Sequence, residues 1–246
     1  MPGTARDRFR RLLRNTIGAA AFVGGAHLAL AIPHWALRTR RRPHALRIAG
    51  VAKFDRVTGR LWRSAAPTTA GYRRLAAAGV RTVIDLRAEV DETAAEPARA
   101  AGLAWIHLPI RDGQVPSRET LRHVCGILDG STDPVLLHCS AGVGRTGSVV
   151  AALRVRAGRR RRAALAEAWH FGPLTLEQVV AILLPNPGRV TRTLVVTASR
   201  VVDAPRRAWS RLRARWRRRR SAAQIAERST SSARTAEPGA DRKSVV

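Results

Sequence analysis

The stretch Val135–Val149, VLLHCSAGVGRTGSV, constrains this chain more than any other. A short apolar run, Val135–His138, has the length and composition of a buried β-strand. Cys139 follows, then five small or flexible residues, Ser140, Ala141, Gly142, Val143 and Gly144, then Arg145. A helix over Thr146–Ala157, closed by Gly158, completes the unit. Strand, tight loop and helix in this order form a phosphate cradle. The loop's backbone N–H groups can turn inward as an anion nest. The helix N-terminus adds partial positive charge, and an arginine fork can grip two phosphate oxygens.

The same field acts on the cysteine. A free thiol titrates near 8.5, and beside Arg at a helix N-terminus it can fall to roughly 3.5–7.5. Cys139 is therefore expected as a thiolate, a nucleophile aimed at the phosphorus of a bound ester. No metal-ligand cluster is visible in the sequence, and the chemistry calls for no metal or cofactor. A buried structural thiol is the competing reading of Cys139.

HCSAGVGRTG, residues 138–147, resembles the signature of the cysteine-dependent protein-tyrosine phosphatases. LWRS at 61–64, AGVRTVIDLR at 78–87 and HLPIRDG at 107–113 look like the small bacterial tyrosine/dual-specificity type. The resemblance spans roughly residues 45–200 and implies roles. Cys139 would be the nucleophile, and Arg145 would clamp the phosphoryl group. Thr146 would help the thiolate leave, and His138 would support the loop without touching substrate. Such enzymes also need an aspartic acid on a loop ahead of the signature to protonate the leaving oxygen. Asp112, between Pro109 and Gly113, is the candidate. Asp129 and Asp133 read as turn residues, and Asp85 as a structural residue inside an apolar strand. Arg87 and Glu89 are candidates for the cleft rim. Gln178 has two readings, a water-placing residue and half of a capping box with Thr175.

The surroundings read as one α/β domain over 43–202, with a mostly parallel sheet flanked by helices. Leu61–Arg63, Val80–Leu86 and Leu103–Leu108 are strand candidates. Helices are expected after Thr69, after Ser117 and from Thr175 to Leu183. Asp91–Ala101 has helical composition with Pro97 interrupting it. Cys125 falls on the apolar face of the helix after Ser117 and reads as core, with pairing to an oxidised Cys139 as the alternative.

The remaining features lie at the ends. The net charge is +28, from 45 Lys+Arg against 17 Asp+Glu. Residues 1–42 carry nine Arg and one Asp, and residues 203–246 carry thirteen basic and four acidic groups, so both ends are denser in positive charge than the middle. Residues 16–37 hold no formal charge between Arg clusters, which suggests an N-terminal hydrophobic helix and possible membrane anchor. A cleavable signal peptide and a buried or interfacial helix are the alternatives. Residues 203–246 read as a mostly disordered tail, with a basic amphipathic helix over 208–220. Anionic membrane is the expected partner of these ends, and solvated tails are the bland alternative. The run Arg159–Arg162 reads as a solvated face, so nucleic acid is not an expected partner. The catalytic domain is expected in the cytoplasm, where a reactive thiol stays reduced. The cradle Ser140–Gly144 has no Lys or Arg, which favours a monophosphate on a protein side chain, phosphotyrosine first. The Arg-rich surface favours phosphoinositides or other phospholipid head groups, and a catalytically dead phosphate-binding module is the remaining alternative.

Overall fold

The computed structural model describes residues 25, 26, 28, 29, 32–36, 47–184, 188–205, 208 and 212. Strand β1 is Asp55–Arg56, β2 is Leu61–Ala65, β3 is Thr82–Arg87, β4 is Ala104–Ile110 and β5 is Val135–Cys139. They form one sheet in the order β1-β2-β5-β3-β4. β1 runs antiparallel to β2, and the other neighbours are parallel. The helices are α1 (Thr69–Ala77), α2 (Glu96–Arg99), α3 (Arg118–Gly130), α4 (Gly144–Arg156), α5 (Arg161–Phe171), α6 (Leu176–Leu183) and α7 (Arg189–Val202). The expected α/β architecture is present.

β5 is central because it is apolar on both faces. Val135, Leu136 and Leu137 are all fully buried, and each such side chain contributes about 1.5–3 kcal/mol by leaving water. Alternation along the strand sends Val135, Leu137 and Cys139 to one face, among Val124 of α3 and Val149 and Val150 of α4. Leu136 goes to the other, with Tyr72 and Leu75 of α1 and Ala98 of α2. A third cluster joins Ala151 of α4 to Ala164, Leu165 and Ala168 of α5 and Ile182 of α6.

Local signals placed several elements. Ser117 caps α3 by accepting from the Thr120 N–H. Thr175 and Gln178 form the complete capping box of α6. Gly79 and Gly158 follow α1 and α4 with φ of 97° and 87°, the left-handed turn that ends a helix most cheaply at glycine. Residues 91–101 depart from expectation. A 3-10 turn over Glu92–Ala95 leads into α2, and Pro97 lies in the first turn of α2 rather than interrupting a helix. Proline is tolerated there because a first-turn N–H has no intrahelical partner to lose.

Of the uncharged segment 16–37, the described residues are helical, with Leu28, Ile32 and Trp35 exposed. Among the described residues no helix is long and apolar enough to cross a membrane, so the expected N-terminal apolar helix is not established. The rest of that segment, and most of the helix expected over 208–220, lie outside the described residues.

Candidate active site

The parallel strands β2, β3, β4 and β5 all end on the same edge of the sheet, the edge where open α/β folds bind ligands. Cys139 closes β5, level with Ala65 at the end of β2. The loop then runs from Ser140 to Gly144 and enters α4. Ser140 and Ala141 are exposed, whereas Gly142, Val143 and Arg145 are buried. Gly142 has φ +65°, and a Cβ there would fall 2.5 Å from the Ala65 backbone nitrogen. Glycine is thus required at this position on two counts, dihedral and space. The N-cap of α4 is Val143, which offers no side-chain acceptor. The first-turn N–H groups keep their donors for an anion.

Cys139 is 2% exposed and its thiol is free. Arg145 is 3% exposed, and its guanidinium is met by both oxygens of Glu89. Nη1 donates to Oε2 at 2.6 Å and Nη2 to Oε1 at 2.9 Å. Nη1 also reaches the Ile110 carbonyl at the end of β4, at 3.3 Å. Asp112 Oδ1 lies 3.6 Å from Nη2. Arg145 Nε and the Thr146 hydroxyl are buried with no hydrogen-bond partner. These two groups are the donors left for something that binds in the loop. Burial alone would lower the pKa of Arg145; the Glu89 hydrogen bonds, then the nearby Cys139, Glu89 and Asp112 charges, outweigh it and raise it. Burial likewise pushes Glu89 up, and its hydrogen bonds and charge pairing with Arg145 bring it below its ordinary value.

Behind the loop lies a second layer. His138 is fully buried, and burial pushes its pKa down to about 4 despite nearby Asp85. It is therefore neutral at neutral pH. Tyr72 stays protonated, because burial raises its pKa far above the usual phenol value. The hydrogen bonds then have one direction. The Tyr72 hydroxyl donates to His138 Nε2 at 3.1 Å, and His138 Nδ1–H donates to the Cys139 carbonyl at 3.3 Å. Asp85, also fully buried, is paired with Arg87 at 2.6 Å and lies 3.9 Å from His138. His138 thus fixes the Cys139 backbone without adding charge.

A third group comes from α6. The Thr175 hydroxyl donates to the Gly113 carbonyl at 2.8 Å, and Gln178 Nε2 donates to the Gln114 carbonyl at 3.1 Å. The Gln178 side chain also lies against Gly144, where a Cβ would fall 2.9 Å from it. The loop that carries Asp112 is therefore fastened from the side.

The structure brings Cys139, the five loop residues, Arg145, Thr146, His138 and Asp112 to one strand-end edge. Asp112 is open to solvent, with a side chain 55% exposed. Asp129 and Asp133 are exposed. Cys125 is half-buried rather than core, with a free thiol. Among the described residues no group of three or more His, Cys, Asp or Glu is arranged to hold a metal ion. Sequence reasoning put Glu89 only at the rim and missed Tyr72 and Arg63. The pairing of Glu89 with Arg145 bridges 56 positions, and no local pattern signals it.

A family model for a DSP-PTPase phosphatase fused to NAD+ kinase matches residues 43–178. No curated protein matches the chain. Among solved structures, Tk-PTP in its active form is 25% identical, with 57% of this chain and 100% of that one covered and a TM-score of 0.47. TpbA of P. aeruginosa is 24% identical, covering 60% and 97%, with a TM-score of 0.47. PTPMT1 is 18% identical, covering 59% and 98%, with a TM-score of 0.44.

Proposed function

The chain belongs to the family of DSP-PTPase phosphatase domains described as fused to NAD+ kinase, and on that premise we propose that it hydrolyses phosphate monoesters through a phosphoryl group carried on Cys139, with protein phosphotyrosine as the first-choice substrate. The observation that carries this reading is the meeting of buried Cys139 and Arg145 at one strand-end loop, with Asp112 3.6 Å from the Arg145 guanidinium.

The phosphate of the ester sits in the Ser140–Gly144 cradle against Arg145 Nε. The Cys139 sulfur attacks phosphorus and forms an S–P bond while the ester P–O bond breaks. Asp112 gives its proton to the leaving oxygen. Water then attacks the phosphocysteine, Asp112 takes a proton from it, and the thiolate leaves with a hydrogen bond from the Thr146 hydroxyl. The net reaction consumes ester and water and yields alcohol and phosphate. Proton transfer of this kind is typically worth about 10²–10⁴-fold in rate. Preorganised N–H donors facing the developing charge supply much of the remainder.

The test is turnover of p-nitrophenyl phosphate in buffer with EDTA, wild type against Cys139→Ser. Turnover that is lost in the variant supports the reading, and a wild type without turnover makes the domain a phosphate-binding module. Parallel assays on phosphotyrosyl peptides and short-chain phosphoinositides decide the substrate. Preference for the lipids would give weight to the +28 net charge over the Lys- and Arg-free cradle. The uncharged run 16–37 and the Arg clusters on both sides of it support attachment to an anionic membrane, and the need to keep the Cys139 thiol reduced supports a catalytic domain in the cytoplasm. Fractionation of the full chain, followed by a high-salt wash, tests that attachment.

A further inference from the structure

We propose that Arg63 of β2 is a positioning residue of the phosphate cradle, holding the loop from behind so that its amides face the anion. The inference rests on the phosphatase reading above and assigns work to a residue that reading does not use.

Arginine is rarely buried completely, yet Arg63 is 0% exposed, between Trp62 and Ser64 of β2 and opposite Asp55 of β1. Its position in β2 sends it to the same face as Leu61, the face of Cys139 and α4. There Nη2 donates to the Gly142 carbonyl at 2.6 Å. The plane of the guanidinium lies against the Phe171 ring, with the central carbon 3.7 Å from its centroid. Nη2 also lies beside Gly147 in the first turn of α4, at ordinary contact distance (3.9 Å) from where a Cβ would stand. One side chain therefore ties together the cradle, the start of α4 and the end of α5.

The consequence follows from peptide geometry. In a planar trans peptide the C=O and the next N–H point to opposite sides. Drawing the Gly142 carbonyl towards Arg63, into the protein, turns the Val143 N–H away from it, towards the open side of the loop. The same contact keeps a carbonyl dipole from facing a bound phosphate. It also places a permanent positive charge behind the cradle, in a dry setting where charge acts strongly. Lysine would keep the charge but lose the flat seat on Phe171 and the fork.

The test is the inhibition constant of inorganic phosphate, measured competitively against p-nitrophenyl phosphate with the full chain. It reads the cradle alone and does not depend on the fraction of protein that is folded. For Arg63→Met the expected result is an inhibition constant raised about ten- to a hundredfold, the usual range for a hydrogen bond with a charged donor. For Arg63→Lys a smaller rise is expected. A purely structural role would lower the melting temperature and the active fraction and leave the inhibition constant at the wild-type value, and that result overturns the proposal. If Arg63→Met does not fold, Arg63→Lys decides alone, a raised constant supporting the proposal and an unchanged one contradicting it. A wild type that neither turns over ester nor is inhibited by phosphate would instead sink the phosphatase reading itself.

Discussion

Glu89 holds Arg145 end-on, with hydrogen bonds of 2.6 and 2.9 Å to the two terminal nitrogens, and leaves Nε buried and unpartnered. The carboxylate takes one edge of the guanidinium and orients the other towards the cradle. Glu89→Ala is predicted to lower kcat/KM by about tenfold, with Glu89→Gln intermediate because one hydrogen bond survives. Steady-state kinetics on p-nitrophenyl phosphate check this. Unchanged kinetics in Glu89→Ala would make the pair incidental.

Asp112 as the acid makes a prediction about leaving groups. Asp112→Ala should lower kcat by about 10²–10⁴-fold for esters of basic alcohols and phenols, and much less for esters whose leaving group needs no proton. The measurement is a series of aryl phosphates of graded phenol acidity. An equal loss across the series would move the acid role to another residue.

Thr175 supplies a separate check on the same loop. Its hydroxyl donates to the Gly113 carbonyl, next to Asp112, and to no residue of the cradle. Thr175→Val should therefore reduce kcat for poor leaving groups while leaving inhibition by inorganic phosphate unchanged. A rise in the phosphate inhibition constant would mean that Thr175 supports the cradle instead.

The strand, loop and helix of the cradle are legible in sequence because each rests on neighbouring residues: an apolar run, a cluster of small residues, a glycine stop. The capping box of Thr175 and Gln178 and the Ser117 cap are legible for the same reason. The linkage of that box to Gly113 and Gln114 is not, because it depends on how α6 packs. Arg63 reads as an ordinary strand-end charge in LWRS, and only the fold buries it. The short β1 and the helix α5 carry no clean apolar period under their arginines. α5 instead presents a face of small residues, Ala164 and Ala168, which periodicity hardly registers.

The neutral, buried His138 makes stability depend on pH. Its pKa falls from 6.5 to about 4 on folding, so the unfolded chain binds a proton that the folded one refuses. The protein should lose stability as pH drops from about 6.5 towards 4, by at most about 3 kcal/mol. Glu89 and Asp85, whose folded pKa values are lowered, add loss only below the ordinary carboxylate range. Denaturant melts of wild type and His138→Gln between pH 7 and 4.5 test this. The variant should show a flatter profile, and parallel profiles would contradict the assignment of His138 as the neutral partner of Tyr72.

The most direct measurement is rapid-quench peptide mapping during turnover of a phosphotyrosyl peptide. The account predicts one phosphoryl group on the peptide that contains Cys139, accumulating when Thr146 is replaced by Ala and the second step slows. Steady turnover with the phosphoryl group on another residue, or with no phosphoenzyme in either protein, would contradict it.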